Sequence, residues 1–463
     1  MFIKQLHAIS YKGLRNLEVN FYRAETVHPL KVSVMVGDNG IGKSSLLQLL
    51  ADILCPVQRS IDQKPEFRYE ISFQMNTYEE KDHDIPVRHT LHYTHDSGLK
   101  SMYPSKLIVS SHSAFDPYQI TSRLVDPRFE WRHFEAPRPV SPPMESAYVY
   151  CGPNERNTSS LETAINAVLK THLSSEERVW KGYDKLFKKI GYGKLIYLEV
   201  DFHRIKRVKE SIENFRDKGR ITNELFERFE YYLNEFRDLI RTFKRSPSNR
   251  FTHLVPLESI NPIFIETMLQ LSSLDAPRII RDLWFLSPDG SAEVPLSDFS
   301  SGELTMIYRF LPLVLEIESN SIILIDEPET HLHPRWAQEF IEYLIDLFGS
   351  FEAHIIVATH SPIIISDVPT ESLVILEKRD GVITQRMPKD RTFGATSTDI
   401  MKDVFFMTQM SGNQSATVIK RIEQQLISGD ESQINEARQL YQMLSSTFEK
   451  FDLYQKFGKQ IGD

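Results

Sequence analysis

The pattern of apolar and polar residues changes period along the chain. In the first quarter, Phe67–Phe73 and Arg88–Tyr93 alternate with a period of two, which predicts strands with one buried face. Lys31–Val36 and Lys106–Ser110 are largely apolar and predict strands that are buried on both sides. Ser45–Leu54 instead has helical spacing. This region is therefore predicted to be strand-rich, with one helix inside it.

A helical period follows from about residue 158 to 283. Ile205–Phe215 and Leu225–Phe243 place apolar residues three and four positions apart, and the glycine turn Asp217–Arg220 separates them. We expect an antiparallel helical hairpin with a short coiled-coil-like seam, at most about 30 Å long. From Ser291 to about 380 short apolar strands again alternate with helices, and the tail from about 395 has helical spacing.

Composition bounds the class of protein. The chain has 463 residues, of which 41% are hydrophobic, and this length accommodates two or three compact units. Its apolar runs fall short of the roughly 18 residues that span a bilayer, and Met1–Ile9 alternates like a strand rather than a signal peptide. Cys55 and Cys151 form neither a disulfide framework nor a zinc site. We therefore expect a protein of the bacterial cytoplasm without a membrane partner.

Charge and proline are unevenly distributed. The net charge is −9, but Lys181–Arg250 contains 18 Lys and Arg against 11 Asp and Glu. This basic region is either a nucleic-acid surface or a pair of solvated helix faces. Asp116–Pro153 contains seven prolines and predicts a long irregular loop.

A glycine-rich loop follows the predicted strand Lys31–Val36. It reads Gly37, Asp38, Asn39, Gly40, Ile41, Gly42, Lys43 and Ser44, with Ser45 opening the helix. This is the phosphate-binding pattern G-x-x-x-x-G-K-[ST]. The glycines let backbone N–H groups converge on phosphate oxygens, Lys43 can reach the β- and γ-phosphates, and Ser44 can hold Mg²⁺. The loop predicts a site for ATP and Mg²⁺ at a helix N-terminus.

Two further strands end in residues that hydrolysis requires. Ser321–Ile325 predicts a strand that can lie beside the P-loop strand in a parallel sheet, and Asp326 and Glu327 follow it. Asp326 can hold Mg²⁺ through water, and Glu327 can orient and deprotonate the attacking water. Another buried strand ends at His360, which can touch the γ-phosphate. We therefore expect Lys43, Glu327 and His360 to be catalytic.

A second anion site is predicted at the helix that Ser300, Ser301, Gly302 and Glu303 open. Small residues at a helix N-terminus favour an anion, and Ser301 can hydrogen-bond a phosphate. Ser300 and Glu303 also form a capping-box pattern. Because the P-loop already cradles the same phosphates, this site makes sense if it serves the nucleotide of another subunit.

The order of these motifs resembles that of the ABC-type ATPases within the AAA-like P-loop proteins. Phe299–Glu303 resembles their L-S-G-G-Q signature and departs from it at three positions. Pro328–Pro334 resembles the D-E-P-E-x-x-L-H-P form of the RecF-like, SMC-like and OLD-family branch. Tyr11–Leu14 is similar to that branch's F-R-G-F, with Lys12 in place of an arginine. The resemblance implies that Lys12 approaches the ATP phosphates and that His333 belongs to the D-loop.

The resemblance also implies an architecture. We expect an α/β ABC-ATPase head, with a P-loop parallel sheet flanked by helices and an antiparallel β subdomain. The predicted divisions are residues 1–155 for the first lobe, 156–285 for a helical insertion, 286–380 for the second lobe, and 381–463 for a helical, partner-docking region. A homo-oligomer would form, at least a head-to-tail dimer with two ATP at its interface. Two places in the sequence could supply the family's Q-loop, Gln74 and the segment Ser111–Asp116, and the sequence does not decide between them.

Spacing separates the members of this branch. The segment between Lys43 and Ser301 has room only for a short hairpin, whereas SMC proteins have a long coiled coil there. No acidic motif of the TOPRIM type follows His360, which distinguishes the chain from the OLD nucleases. The chain resembles the ATPases of the Septu antiphage system. Tyr148–Pro153 and Thr392–Gly394 carry part of this resemblance. That resemblance implies an HNH endonuclease partner, with DNA or other nucleic acid bound directly or through the nuclease. The alternatives are a RecF-like repair ATPase acting directly on DNA and a transporter ATPase, which the D-loop disfavours.

Overall fold

The computed structural model describes most of the chain as two units, Met1–Ala395 and Thr396–Asp463. The described residues are 1–21, 28–54, 68–77, 87–94, 104–111, 147–151, 160–219, 221–239, 243–247, 251–272, 278–330, 332–407, 412–446 and 448–462. The predicted proline-rich loop, Cys55, His331 and the segment after Ser111 lie largely or wholly outside them.

The first unit contains both sheets and helices. Its strands are β1 (Phe2–Tyr11), β2 (Leu14–Asn20), β3 (Lys31–Val36), β4 (Arg68–Thr77), β5 (Val87–Thr94), β6 (Lys106–Ser111), β7 (Ala147–Tyr150), β8 (Leu195–Asp201), β9 (Lys244–Arg245), β10 (Thr252–Pro256), β11 (Ile280–Leu286), β12 (Glu293–Pro295), β13 (Ile322–Asp326), β14 (His354–Ala358), β15 (Leu373–Arg379) and β16 (Val382–Arg386). Its helices are α1 (Lys43–Leu54), α2 (Ser160–Leu173), α3 (Glu177–Ile190), α4 (Ile205–Asp217), α5 (Asn223–Leu239), α6 (Pro262–Ser272), α7 (Ser301–Glu316), α8 (Pro334–Gln338), α9 (Phe340–Phe348) and α10 (Pro362–Ser366).

A seven-stranded sheet forms the centre of the first unit, in the order β16-β15-β3-β14-β13-β6-β7. All pairs of adjacent strands in this sheet are parallel except β15–β16. Its middle strands β13 and β14 are buried along their whole length and are mostly apolar, as expected where both faces of a parallel sheet are covered. Helix α1 packs between this sheet and the antiparallel sheet β2-β1-β4-β5, in one core that contains Leu6, Leu50 and Leu324. The predicted α/β head with an antiparallel β subdomain is confirmed.

The position of the strand before Asp326 and Glu327 differs from the prediction. The expectation that β13 lies beside the P-loop strand β3 is wrong, since β14 pairs with both of them and separates them. A parallel strand buried on both sides carries no pattern that identifies its neighbours. Because β14 lies between β3 and β13, its C-terminal end, which precedes His360, lies between the C-terminal ends of those two strands.

The predicted helical insertion also contains strands. The order β12-β11-β8-β10-β9 makes a five-stranded antiparallel sheet. Strands β8, β9 and β10 lie within residues 156–285, and β11 crosses the predicted boundary at 285. The sequence analysis missed this sheet because its strands are short and alternate poorly: β8 is buried at Leu195 and again at four consecutive positions from Leu198. The periodicity of the long flanking helices dominates the same region.

The helical hairpin is present as α4 and α5, joined through Gly219 in the left-handed conformation. Ile205, Val208 and Ile212 are buried as predicted, and so is Phe229. On α5 the other buried side chains, Phe226 and Leu233, lie one position after the predicted Leu225 and Tyr232. The buried face therefore differs from the predicted one at these two positions, and Ile240 of the predicted stripe lies outside the described residues.

The second unit is helical, as predicted for the tail. It consists of α11 (Ser397–Asp403), α12 (Asn413–Ser428), α13 (Glu431–Met443) and α14 (Phe448–Ile461) around its own core. Strand β16 still pairs with β15, so the first unit extends beyond the predicted boundary at 380. Among the residues that the structure describes, no helix is long and apolar enough to cross a membrane.

Candidate functional site

The loop between β3 and α1 has a conformation that requires glycine. Gly37 and Gly42 have φ values of 151° and 102°. A Cβ on Gly37 would lie 2.6 Å from the Leu376 carbonyl oxygen, and one on Gly42 would lie 2.7 Å from Leu14 Cδ2. Close packing therefore fixes the loop, and α1 starts directly after it, so that its first N–H groups are available to an anion.

Lys43 lies inside this loop rather than in solvent. Its Nζ donates to the carbonyl oxygens of Gly37 (2.9 Å) and Asp38 (3.3 Å), and lies 2.6 Å from Nε2 of His360. Burial lowers the pKa of Lys43, while the charges of Glu327 and Asp326 act in the opposite direction. The loop thus holds a cation beside the strand ends, where it can neutralise phosphate charge.

The pair Ser44 and Asp326 supplies oxygen ligands suited to Mg²⁺. Ser44 Oγ donates to Asp326 Oδ1 at 3.1 Å, although the two residues are 282 positions apart. Asp326 is the last residue of β13 and is buried. A hydroxyl and a carboxylate are the protein ligands that a phosphate-bound Mg²⁺ takes in P-loop proteins. The donor set therefore fits the predicted metal.

Glu327 is held in an unusual backbone conformation. Its φ is 47°, in the left-handed region, and its N–H donates to the Ala358 carbonyl oxygen at 2.9 Å. The carboxylate lies 3.0 Å from His360 Nε2. Burial raises the pKa of Glu327, but the hydrogen bond and charge of His360 and the charge of Lys43 outweigh it, so the net shift is downward. An ionised carboxylate at this point can act as a general base.

Two residues near Glu327 were missed as site residues. Glu329 Oε1 accepts from the His360 N–H and from Thr359 Oγ1, both at 2.7 Å. Arg309, buried on α7, donates to the Thr330 carbonyl oxygen at 2.9 Å, and burial lowers the pKa of its guanidinium to about 10. The quoted D-E-P-E motif contains Glu329, but no local pattern indicates that Arg309 reaches this turn.

The predicted signature is the N-terminus of α7. Ser300 caps the helix in a complete capping box with Glu303, as predicted. Gly302 packs closely on Trp336, since a Cβ would lie 2.5 Å from the indole ring. Ser301 is exposed at the helix start. The side chains of Ser300 and Glu303 are therefore engaged within the chain, and the action of this segment on another subunit's nucleotide stays a prediction.

The remaining predicted residues lie at different places. Lys12 donates to Gln48, which is on α1 one turn after the P-loop. His333 is the N-cap of α8, where its Nδ1 accepts from the Arg335 N–H at 3.2 Å. The structure thus brings together the P-loop, the ends of β13 and β14, and the turn after β13. The residues in contact there are Lys43, Ser44, Asp326, Glu327 and His360.

The family described as "AAA domain, putative AbiEii toxin, Type IV TA system" matches residues 32–133 and 187–366, more than half of the chain. The "Septu protein PtuA" of Bacillus mycoides (strain KBAB4) is 21% identical over 405 residues, covering 85% of this chain and 43% of that protein. The "Retron Vc95 probable ATPase" of Vibrio cholerae serotype O1 biovar El Tor is 29% identical over 121 residues, 24% of this chain and 23% of that one.

Among solved structures, the "SMC head domain from Thermotoga maritima" covers 84% of this chain at 13% identity, with all of that domain aligned and a TM-score of 0.35. That similarity is too low to extend the fold description given above. The chain spans less than half the length of the curated relatives that it matches. The resemblance to Septu ATPases that the sequence motifs indicate is confirmed by the match to PtuA.

Proposed function

Because this chain belongs to the AAA-domain family of P-loop ATPases, we propose that it is the ATPase subunit of an antiphage defence complex. The observation that carries the proposal is the joining of Lys43, Ser44, Asp326, Glu327 and His360 at one edge of the parallel sheet. The similarity to PtuA over most of the chain supports the defence role.

The proposed mechanism uses ATP to assemble subunits. The P-loop and Asp326 bind ATP and Mg²⁺, and Glu327 activates water for in-line attack on the γ-phosphate. The exposed N-terminus of α7 contributes Ser301 to the nucleotide of a second copy, which gives a head-to-tail dimer or a larger ring. Hydrolysis then limits the lifetime of the assembly.

The proposed partner is an HNH endonuclease subunit, which would cleave nucleic acid on infection. We expect an HNH protein encoded beside this one to co-purify with it and to protect cells against phage. Lys43→Ala and Glu327→Gln should each abolish protection, measured as plaque counts. Lys181→Ala, at an exposed lysine on α3, serves as the matched control. Full protection by Lys43→Ala would refute the role of ATP.

A second candidate is an ATPase that acts directly on DNA. It is favoured by Lys206 and Arg207, which are exposed on α4. Lys206 forms an ion pair with Glu210 at 4.0 Å, and Lys209 forms one with Glu230 on α5 at 2.5 Å. Both pairs reduce the charge available to phosphates. This candidate predicts salt-dependent DNA binding by the isolated protein that charge reversal at these three basic residues removes. An isolated protein that does not bind DNA would exclude it.

A further inference from the structure

Glu329 connects the C-terminal ends of two neighbouring strands. It lies on the turn after β13, and its Oε1 accepts two hydrogen bonds from the segment after β14. The donors are the backbone N–H of His360 and the hydroxyl of Thr359, each at 2.7 Å. These bonds fix the backbone from which the His360 ring projects.

The ring of His360 lies between two groups of the hydrolytic site. Its Nε2 is 3.0 Å from Glu327 Oε1 and 2.6 Å from Lys43 Nζ. Thr359, the other donor to Glu329, also donates its N–H to the Met35 carbonyl oxygen on the P-loop strand at 3.1 Å. A shift of the Thr359–His360 backbone would therefore displace the ring from Glu327 and Lys43 together.

The Glu329 carboxyl is costly to keep in this place. Its Oε2 is buried and has no hydrogen-bond partner among the described residues, a situation that destabilises a fold. Burial and the charge of Glu327 raise the pKa of Glu329. A position in the catalytic site accounts for this arrangement better than packing does.

We propose that Glu329 is a positioning residue for ATP hydrolysis, which holds His360 against Glu327 and Lys43. It acts through these residues and does not touch the nucleotide. The inference rests on the ATPase activity in the proposed function and is independent of the defence role and of any nuclease partner.

The test compares Glu329→Ala with Glu329→Gln in the full chain. Alanine removes the acceptor for both donors, so kcat for ATP should fall about 10- to 100-fold while KM changes little. Glutamine keeps an amide oxygen at Oε1 and should recover most of the rate. The melting temperatures of both variants should stay close to that of the unmodified protein. Glu342→Ala, at an exposed carboxylate on α9, is the control and should leave kcat unchanged.

Three results would overturn the inference. They are an unchanged kcat in Glu329→Ala, an equal loss in Glu329→Gln, and a joint loss of rate, ATP binding and melting temperature in Glu329→Ala, which would mark a structural role. If the unmodified protein binds ATP but does not hydrolyse it, the proposed ATPase function itself is wrong. That result differs from the three above, which concern only Glu329.

Discussion

At the scale of single residues, the site separates binding from chemistry. Lys43 is buried in the P-loop, whereas Glu327 faces His360 at the end of β13. Lys43→Ala should therefore weaken ATP binding. Glu327→Gln should bind ATP normally, with hydrolysis reduced about 100-fold or more because the general base is lost. Fluorescent-nucleotide titration and phosphate release measure the two effects, and a loss of binding in Glu327→Gln would contradict this division.

A second residue-scale prediction concerns acid stability. Burial lowers the pKa of His354 to about 3 from its ordinary 6.5. The folded state therefore binds fewer protons than the unfolded state, so the contribution of this residue is complete above pH 6.5 and is lost as pH falls below it. Between pH 6.5 and 5 the free energy of unfolding should fall by about 2 kcal/mol on this account.

The variant His354→Gln isolates that contribution. His354 Nδ1 accepts from the Ile3 N–H, and Nε2 contacts Ser33 Oγ at 2.9 Å, so the amide of glutamine can replace part of both contacts. The variant should be less stable at pH 7.5 yet lose less stability down to pH 5 in urea denaturation. Parallel pH curves for the two proteins would show that His354 does not titrate on unfolding.

At the scale of elements, local sequence predicted some features well. The strand, glycine loop and helix around Lys43, the capping box at Ser300 and the hairpin α4–α5 follow from short-range rules, and all three are present. The order of β3, β14 and β13 does not follow from such rules, because pairing in a parallel sheet is set by contacts between distant segments. The contacts of Glu329 with Thr359 and His360 depend on that order, so they could not be predicted. The contact of Arg309 with Thr330 joins α7 to the turn after β13, which no local pattern indicates.

The start of α7 allows a prediction about capping and assembly. Ser300 Oγ accepts from the Glu303 N–H, so Ser300→Ala should lower the free energy of unfolding by about 1 kcal/mol.

Ser301 is exposed, so Ser301→Arg should leave stability and ATP binding unchanged but prevent ATP-dependent dimerisation and hydrolysis. Light scattering with Mg²⁺-ATP and a thermal melt distinguish the two variants. Dimers of Ser301→Arg would contradict the role of the signature in another subunit.

At the scale of the whole molecule, each of the two units has its own core. The second unit packs Ile422, Leu426, Ala437, Leu453 and Ile461 together. The residues described above as meeting around Lys43 lie in the first unit, Met1–Ala395. Because a unit with its own core can fold independently, we propose the second unit as the docking region for a partner.

The surface of the second unit makes the proposal testable. Met443 and Phe451 are 81% and 56% exposed and offer apolar surface that a partner could cover. Phe451→Lys should therefore abolish co-purification of the proposed HNH partner while ATP hydrolysis by the isolated protein stays unchanged. Val382→Lys is the matched control, since Val382 on β16 is an apolar side chain of similar exposure, 54%, on the first unit. If Phe451→Lys keeps the partner and Val382→Lys loses it, docking belongs to the first unit instead.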